Sequence, residues 1–447
     1  MTHSTNSIAE PRLLVSNGFS LFHLRVAAEE LAARGNLAGL VTGNYPTARV
    51  KRILSRTRLS RTALGGRLLG READVPEDLV CSLRFSETLN ELALVGNRLL
   101  GGRISLNDSL GTFAMQRYAG QALQQVISKA DANIYHYRAG YGHGSVVEAK
   151  RRGMVALCDH SIAHPAVLQH LIEGGGQLPP AGGRTESRFW SSILRDIDQA
   201  DHVVVNSDFV KDTFLHEGWP SNRVDSIYLG VEDAFLSMVS ERPEANLNGP
   251  LRLLFAGQLS ARKGAEDLLE ALESLAGVDW ELEICGGLDP EFSRRPILAD
   301  PRIHYHGNLS RRALATRLSK AEVFVFPSRA EGSARVVFEA LAAGCPVITT
   351  PNSGSIVKDG VHGLLVPPSD PQALVKAIKT VFSSREKFAL MGGSNARLVH
   401  HDYRQATYGE RLMELYRRLL GHTSAGGDSG ELRQLSDESL AENDSRR

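Results

Sequence analysis

The feature that most constrains this chain is an alternation: short apolar, β-branched runs are separated by stretches of helical periodicity, and the whole pattern occurs twice. Strand candidates fall at 12–16, 37–42, 132–138, 154–158, 202–206 and 224–228, and again at 251–257, 281–285, 303–306, 323–327, 346–349 and 363–366. Strands spaced in this way by helices are the pattern of parallel sheets with crossover connections. The expected fold class is α/β, with two doubly wound, Rossmann-like domains. A chain of 447 residues is too long for one ordinary core, which fits two similar halves. Between the halves, residues 236–250 carry Glu241, Arg242, Pro243, Glu244, Asn246 and Asn248, the composition of an interdomain linker. This divides the chain into a first domain over 11–238, a linker over 239–250 and a second domain over 251–400. Leu412, Leu415, Tyr416 and Leu419 then recur at helical spacing, so a final amphipathic helix is expected over 401–421. Residues 1–10 are polar, and 422–447 are rich in Ser, Gly, Asp and Glu. Both ends are expected to be disordered, because they cannot bury enough apolar surface to offset the entropy of ordering.

Composition excludes several classes. With 42% hydrophobic and 23% charged residues, and no apolar run approaching the roughly 20 residues a bilayer span needs, an integral membrane protein is not expected. The first residues lack the basic start, apolar middle and small-residue cleavage site of a secretory signal, so the expected location is the cytoplasm. Cys81, Cys158, Cys285 and Cys345 show neither metal-ligand nor disulfide spacing and read as small core residues of a reducing compartment. Lys plus Arg (51) balances Asp plus Glu (51), so no global field favours nucleic acid. Locally the charge is uneven. Residues 48–71 contain Arg49, Lys51, Arg52, Arg56, Arg58, Arg61, Arg67 and Arg71, no acidic residue, and interleaved Val, Ile and Leu. That composition suits peripheral contact with an anionic membrane face, here the inner face of the cell membrane; the plain alternative is a solvated basic helix or loop.

Two segments carry chemistry. Gly257-Gln258-Leu259-Ser260-Ala261-Arg262-Lys263-Gly264 follows an apolar strand and leads into a helix, which puts backbone N–H groups and two cations at the carboxyl end of a sheet. Lys263 there acts as a point charge on a diphosphate oxygen and Arg262 contributes a second, although a basic pair beside a turn is also common on surfaces. The second segment runs from Val323 to Ile348 and frames a strand-to-helix transition with two carboxylates, Glu331 in the loop and Glu339 in the helix. If all eight steps between them were helical they would span on the order of 12 Å. One carboxylate would then lie near sugar hydroxyls and the other near a ribose, with the helix N-terminus facing the diphosphate. The alternative is a helix-favoured Glu331 and a solvated Glu339. Glu339 weakens it, because Phe338-Glu339-Ala340-Leu341-Ala342-Ala343-Gly344 is otherwise apolar and a buried charge needs a partner.

These segments resemble the donor-binding motifs of family 4 glycosyltransferases, retaining enzymes of the GT-B fold. The similarity continues through residues 350–357 and 359–368, and through Asn206-Ser207 and Leu229-Gly230-Val231. The resemblance implies two Rossmann-like domains facing across a cleft, the first binding the acceptor and the second the nucleotide sugar, with the final helix packing back on the first. It makes Glu331 the group near the donor sugar, Glu339 the ribose ligand, and Lys263 with Arg262 the holders of the diphosphate. Gly257, and backbone groups at Gly332 and Ser333, belong to the same site, and Asn308 and Leu309 lie near the base. Relatives place a histidine facing the donor from the acceptor side. His160 and His164, after the strand at 154–158, are both candidates, each against the plain reading of a satisfied loop histidine. Gly18 occupies the place of the family's glycine-rich loop, with a ligand contact and a tight turn both open. The chain departs from many relatives at Gln258, where they have arginine, and at Ser333-Ala334, where they have phenylalanine-glycine; these departures bear on donor-sugar preference and diphosphate binding strength.

The implied function is a hexosyltransferase-type enzyme that moves a sugar from a nucleoside-diphosphate sugar to a glycan, lipid-linked or other hydroxyl acceptor with retained configuration. No metal or other cofactor is expected, and Asp196-Ile197-Asp198, in a helical stretch, is assigned none. The alternative from a different class is a non-catalytic sugar-nucleotide-binding subunit of a transferase complex, whose signature would be loss of the donor-site residues.

Overall fold

The computed structural model describes residues 9–20, 23–46, 48–58, 69, 73–99, 107–183, 187–243 and 248–425. The first sheet contains β1 (Leu13–Gly18), β2 (Leu37–Thr42), β3 (Val80–Ser82), β4 (Ile134–Arg138), β5 (Val155–His160), β6 (His202–Val205) and β7 (Val224–Ser226), in the order β3-β2-β1-β4-β5-β6-β7. The second contains β8 (Leu251–Ala256), β9 (Trp280–Cys285), β10 (Ile303–Gly307), β11 (Val323–Phe326), β12 (Val347–Thr349) and β13 (Gly363–Leu365), in the order β10-β9-β8-β11-β12-β13. Every pairing in both sheets is parallel.

The helices of the first half are α1 (Leu24–Ala33), α2 (Ala48–Ser55), α3 (Arg84–Leu99), α4 (Thr112–Ser128), α5 (Gly144–Arg151), α6 (Pro165–Glu173), α7 (Arg188–Asp198), α8 (Asp208–His216) and α9 (Asp233–Leu236). Those of the second are α10 (Ala265–Glu273), α11 (Arg311–Lys320), α12 (Arg335–Ala342), α13 (Pro371–Ser383) and α14 (Arg385–Asp402), and the last helix among the described residues is α15 (Gln405–Ala425).

The strands form where they were expected because they are apolar on both faces. Leu253, Leu254, Phe255, Val323, Phe324, Val325 and Phe326 are all buried, and Phe324 and Phe326 stack with ring centroids 5.9 Å apart. Each sheet reverses its strand order once, between β1 and β4 and between β8 and β11. Such a switch point opens a crevice at the carboxyl ends of the strands.

The chain returns to its beginning. Tyr408, Leu412, Met413, Leu415, Tyr416 and Leu420 of α15 join one apolar cluster with Leu13, Val15, Leu24, Leu31 and Leu37. At the centre of that contact the His136 ring nitrogen Nδ1 and the Tyr416 hydroxyl are 2.9 Å apart. The two halves also touch directly: Ser207 Oγ donates to the Gly332 carbonyl, and Asn352 Nδ2 donates to the Gly176 carbonyl at 2.7 Å.

Several expectations need correction. β3 is a strand that sequence periodicity does not give, because Val80-Cys81-Ser82 is three residues long and half-buried at a sheet edge. Its Cys81 is accordingly not a core residue, unlike Cys158, Cys285 and Cys345. β1 continues to Gly18 and β5 to His160, so polar residues the sequence assigns to loops end buried strands. At the amino end, the Glu10 carbonyl accepts from Asn133 Nδ2 at 2.9 Å, so order starts before residue 11. Helix α15 extends to Ala425, past the expected end at 421. Of the basic run 48–71, residues 48–55 form α2, while 59–68, 70 and 71 lie outside the described residues, as do 1–8, 244–247 in the linker and the tail 426–447.

Candidate active site

The second sheet's crevice is built by two loops, one after each strand of the switch point. After β8 the chain turns at Gly257, makes one 3₁₀ turn over Ala261–Lys263 and enters α10 through Gly264. Gly264 has φ +71°, and a Cβ there would lie 2.0 Å from the Pro327 carbonyl, so only glycine lets this loop meet the next one. The second loop, after β11, is pinned from below: Glu331 N–H donates to the Asn352 carbonyl at 2.9 Å and Ala334 N–H to the Ser353 carbonyl at 3.0 Å. The Arg262 carbonyl ties the loops together by accepting from Arg329 N–H at 2.9 Å and Ser328 Oγ at 3.1 Å.

The result is a cavity of about 460 Å³ whose lining includes Gly257, Lys263, Asn308, Leu309, Glu331, Ser333 and Glu339. Lys263 Nζ stands 3.3 Å from Glu331 Oε1 and 4.9 Å from the centroid of the Phe326 ring. Arg262 does not line the cavity. Its Nη1 lies 2.6 Å from the same carboxylate oxygen and donates to the Ala330 carbonyl at 3.0 Å. Two cations therefore share one carboxylate, an arrangement that holds the Glu331 side chain in the loop.

Glu339 is buried in α12, in contrast to a solvated position on a helix surface, and Arg311 Nη2 is 3.3 Å from its Oε1. Burial raises its carboxyl above the ordinary range, with the nearby Arg311 and Arg335 pulling the other way. α12 begins only at Arg335, so the first steps from Glu331 to Glu339 are loop rather than helix. Arg335 lines the cavity at the first turn of that helix. Sequence reasoning missed Arg311 and Arg335. Arg335 was findable, because it stands four residues before Glu339 and helical neighbours at that spacing share a face; Arg311 comes from a different helix and carries no local signal. Gly286 and Gly287, which follow β9 and line the same cavity, were also missed.

Gly332 lies at the seam between the domains rather than in the cavity lining. Its carbonyl is taken by Ser207, and a Cβ on it would fall 1.7 Å from the Ser161 carbonyl. Ser161 sits between the two candidate histidines. His160 ends β5, buried, with Nε2 3.4 Å from the Ala163 carbonyl. His164 is the N-cap of α6, its Nδ1 accepting from Ala166 N–H at 3.4 Å, which puts its proton on Nε2. Both rings meet Phe214 edge-on, at 5.6 and 4.8 Å between centroids. Burial pushes His160 down to about 4 and His164 down to about 3, so both are neutral at neutral pH. Neither lines the cavity, but the loop they bracket packs on the one that carries Glu331.

In the first sheet, Gly18 packs under the Tyr141 ring and its N–H donates to the Tyr118 hydroxyl at 3.1 Å. The glycine-rich turn before α5 is held by Asp196, whose carboxylate accepts from Gly142 N–H and His143 N–H at 2.7 Å each. Asp196 of the Asp196-Ile197-Asp198 triplet is thus engaged with that turn. Among the described residues no group of three His, Cys, Asp or Glu side chains stands together as a metal site, and no helix is long and apolar enough to cross a membrane.

Residues 250–384 match the family described as Glycosyl transferases group 1. The chain is 24% identical over 242 residues to the alpha-D-kanosaminyltransferase of Streptomyces kanamyceticus, covering 50% of this chain and 62% of that one, less than two thirds of the relative's length. Among solved structures, sucrose-phosphate synthase from Thermosynechococcus elongatus superposes with a TM-score of 0.61 at 19% identity, over 93% of this chain and 100% of that one. HepE from Anabaena, solved in complex with UDP and glucose, superposes with a TM-score of 0.56 at 14% identity, over 90% of this chain and 99% of that one.

Proposed function

For a chain whose residues 250–384 match the Glycosyl transferases group 1 family and whose two parallel-sheet domains have the GT-B architecture, we propose the activity of a retaining glycosyltransferase. The donor is a nucleoside-diphosphate sugar, held in the second domain's cavity; the acceptor is a hydroxyl presented by the first. The observation that carries this reading is the joint presence of Lys263, Glu331 and Glu339 around one cavity at the switch point of the second sheet. Lys263 suits a diphosphate oxygen, and a buried carboxylate such as Glu339 is matched by a ribose diol that donates two hydroxyl protons to it. A UDP-sugar is the first donor to try, since HepE was solved with UDP and glucose.

In the reaction, the acceptor oxygen bonds to the anomeric carbon on the face from which the diphosphate departs, the carbon–oxygen bond to phosphate breaks, and the acceptor proton passes to the leaving phosphate. Charge gathering on that phosphate is stabilised by Lys263 and the first turn of α12, with Arg262 supporting through Glu331. The seam contacts Ser207–Gly332 and Asn352–Gly176 hold the domains together around the site, which keeps out water that would hydrolyse the donor.

A lipid-linked or envelope glycan is the acceptor class this surface suits best, reached by peripheral contact with an anionic membrane face from the cytoplasm. Phe85, Leu92, Val95 and Phe113 are each at least half exposed on α3 and α4, Arg117 lies 4.9 Å over the Phe85 ring, and Lys51 of the basic α2 lies 5.7 Å over Tyr45. Loss of vesicle binding on neutralising Arg52, Arg56 and Arg58, with donor binding intact, supports that contact; unchanged binding removes it.

The test of the main reading is thermal unfolding of the protein against a panel of nucleoside-diphosphate sugars. A ligand that binds only the native state raises the midpoint by mass action. The expected result is a rise with one donor that is lost in Glu339→Ala and in Lys263→Ala. No rise with any donor at millimolar concentration overturns it.

A further inference from the structure

The donor cavity lies at the carboxyl end of β8. At the amino end of the same strand, where Leu251 begins it, the chain forms a second pocket, of about 260 Å³. Arg242, Arg252, Lys320 and Arg385 line it, and Glu322 is the one carboxylate among its described lining residues. That carboxylate is already heavily used. Arg385 Nε donates to its Oε1 at 2.9 Å, Arg385 Nη2 lies 2.7 Å from each oxygen, and Arg252 Nε is 3.4 Å from Oε2. Arg242 Nη2 reaches the Glu322 carbonyl at 3.4 Å, the Arg242 side chain also meets the Cys345 thiol, and Lys320 stands exposed on the rim. Among the described lining residues, four cations thus stand around one buried carboxylate, an excess of positive charge. The groove at the foot of the first sheet differs in this respect, since Lys150 pairs there with Asp201 and Arg418 with Asp225.

We propose that this pocket binds a small phosphorylated anion, at a site separate from the donor cavity. Guanidinium groups match the oxygen spacing of phosphate, and a weakly hydrated arginine pair loses less on binding than lysines would. A cavity slightly below the range of about 300–1,000 Å³ usual for ligand pockets takes a phosphate with a small organic body and excludes a polymer. Phe388 and the strongly exposed Leu390 supply an apolar wall for that body. The location gives the site a consequence. Arg242 belongs to the segment leaving the first domain, Arg252 and Lys320 belong to the second, and Arg385 Nη1 donates to the Gly249 carbonyl of the linker at 2.7 Å. An anion here ties the linker to the second domain.

The test is calorimetric titration of the full chain with inorganic pyrophosphate and with a hexose 6-phosphate, at ionic strength held constant with chloride. Saturable binding is expected in the native protein and in Lys263→Ala, where the donor's diphosphate site is impaired. In Lys320→Glu, an exposed position whose change leaves the unfolding midpoint in place, the affinity should fall about tenfold or more. Lys320→Gln should give a smaller loss in the same direction, which keeps the test open if the charge reversal misfolds. Binding that survives Lys320→Glu and vanishes in Lys263→Ala means the anion occupies the donor cavity, and absence of saturable binding at millimolar anion means there is no site; either outcome overturns the proposal.

Discussion

Glu331 faces two cations at once, and the competition this sets up can be measured. Its carboxylate holds Arg262 and Lys263 at 2.6 and 3.3 Å, so a diphosphate entering the cavity has to draw Lys263 away from it. Glu331→Gln keeps the shape and removes the charge. On the proposed reading, in which Glu331 stands beside the reacting sugar, nucleoside-diphosphate affinity should rise several-fold while turnover falls by about a hundredfold or more; equilibrium binding beside a transfer assay separates the two. An unchanged or weaker diphosphate affinity would remove the competition. The two histidines make a second residue-scale prediction, in stability. With His164 pushed down to about 3 and His160 to about 4, the unfolded chain takes up protons near pH 6.5 that the folded chain refuses. Stability is therefore full above about pH 6.5 and is lost as pH falls toward 4, by about 1.4 kcal/mol per pH unit for each histidine over that window. His164→Asn keeps an N-cap acceptor without a titrating ring, so its denaturant midpoint should depend less steeply on pH between 6.5 and 4; an unaltered slope would assign the effect elsewhere.

At the scale of elements, the strands were legible because burial on both faces leaves continuous apolar runs, and such runs need no knowledge of neighbours. β3 was illegible because three residues at an edge carry no periodicity. Glu339 was legible because a charge amid Phe338, Ala340 and Leu341 conflicts with its surroundings. Its partner Arg311 was not, because the pairing is made by α11 crossing α12 and no local pattern records it. Similarly, Gly332 reads in sequence as a donor-loop glycine, whereas its backbone serves the contact with Ser161 and Ser207, which lie in the other domain. Helix α15 was readable as amphipathic. Its buried Tyr416 also meets His136, beside Asp159. Burial would raise the Asp159 carboxyl, but His23 at 2.8 Å and His136 overcome that effect and hold it well below the usual range. Tyr416→Ala opens a cavity on this face and should cost about 3–5 kcal/mol, read as a lower denaturation midpoint. A change under about 1 kcal/mol, the scale of a surface substitution, would mean that α15 is only loosely docked.

For the whole molecule, closure rests on backbone as much as on side chains. Gly332→Ala would drive a methyl into the Ser161 carbonyl, 1.7 Å from the ideal Cβ position. The expected result is two folded domains held further apart: a larger radius of gyration in solution scattering, a nearly unchanged unfolding midpoint and strongly reduced transfer. Unchanged scattering would show that the seam yields locally. The chain also passes between the domains twice, and the two passages lie side by side. Val231, just before the linker, donates to the Tyr403 carbonyl at 2.8 Å, while Gln405 donates back to Val231 at 3.2 Å. Arg404 Nε and Nη2 clamp the Asp233 carboxylate at 2.8 and 2.7 Å. The first domain is thus assembled from both ends of the polypeptide, and the second is an insertion within it. A fragment ending near residue 238 would expose the surface that α15 covers. Exchanging the second domain for a relative's therefore requires two splice points, one before Leu251 and one after Asp402, which leave the Val231–Tyr403 junction in the retained scaffold.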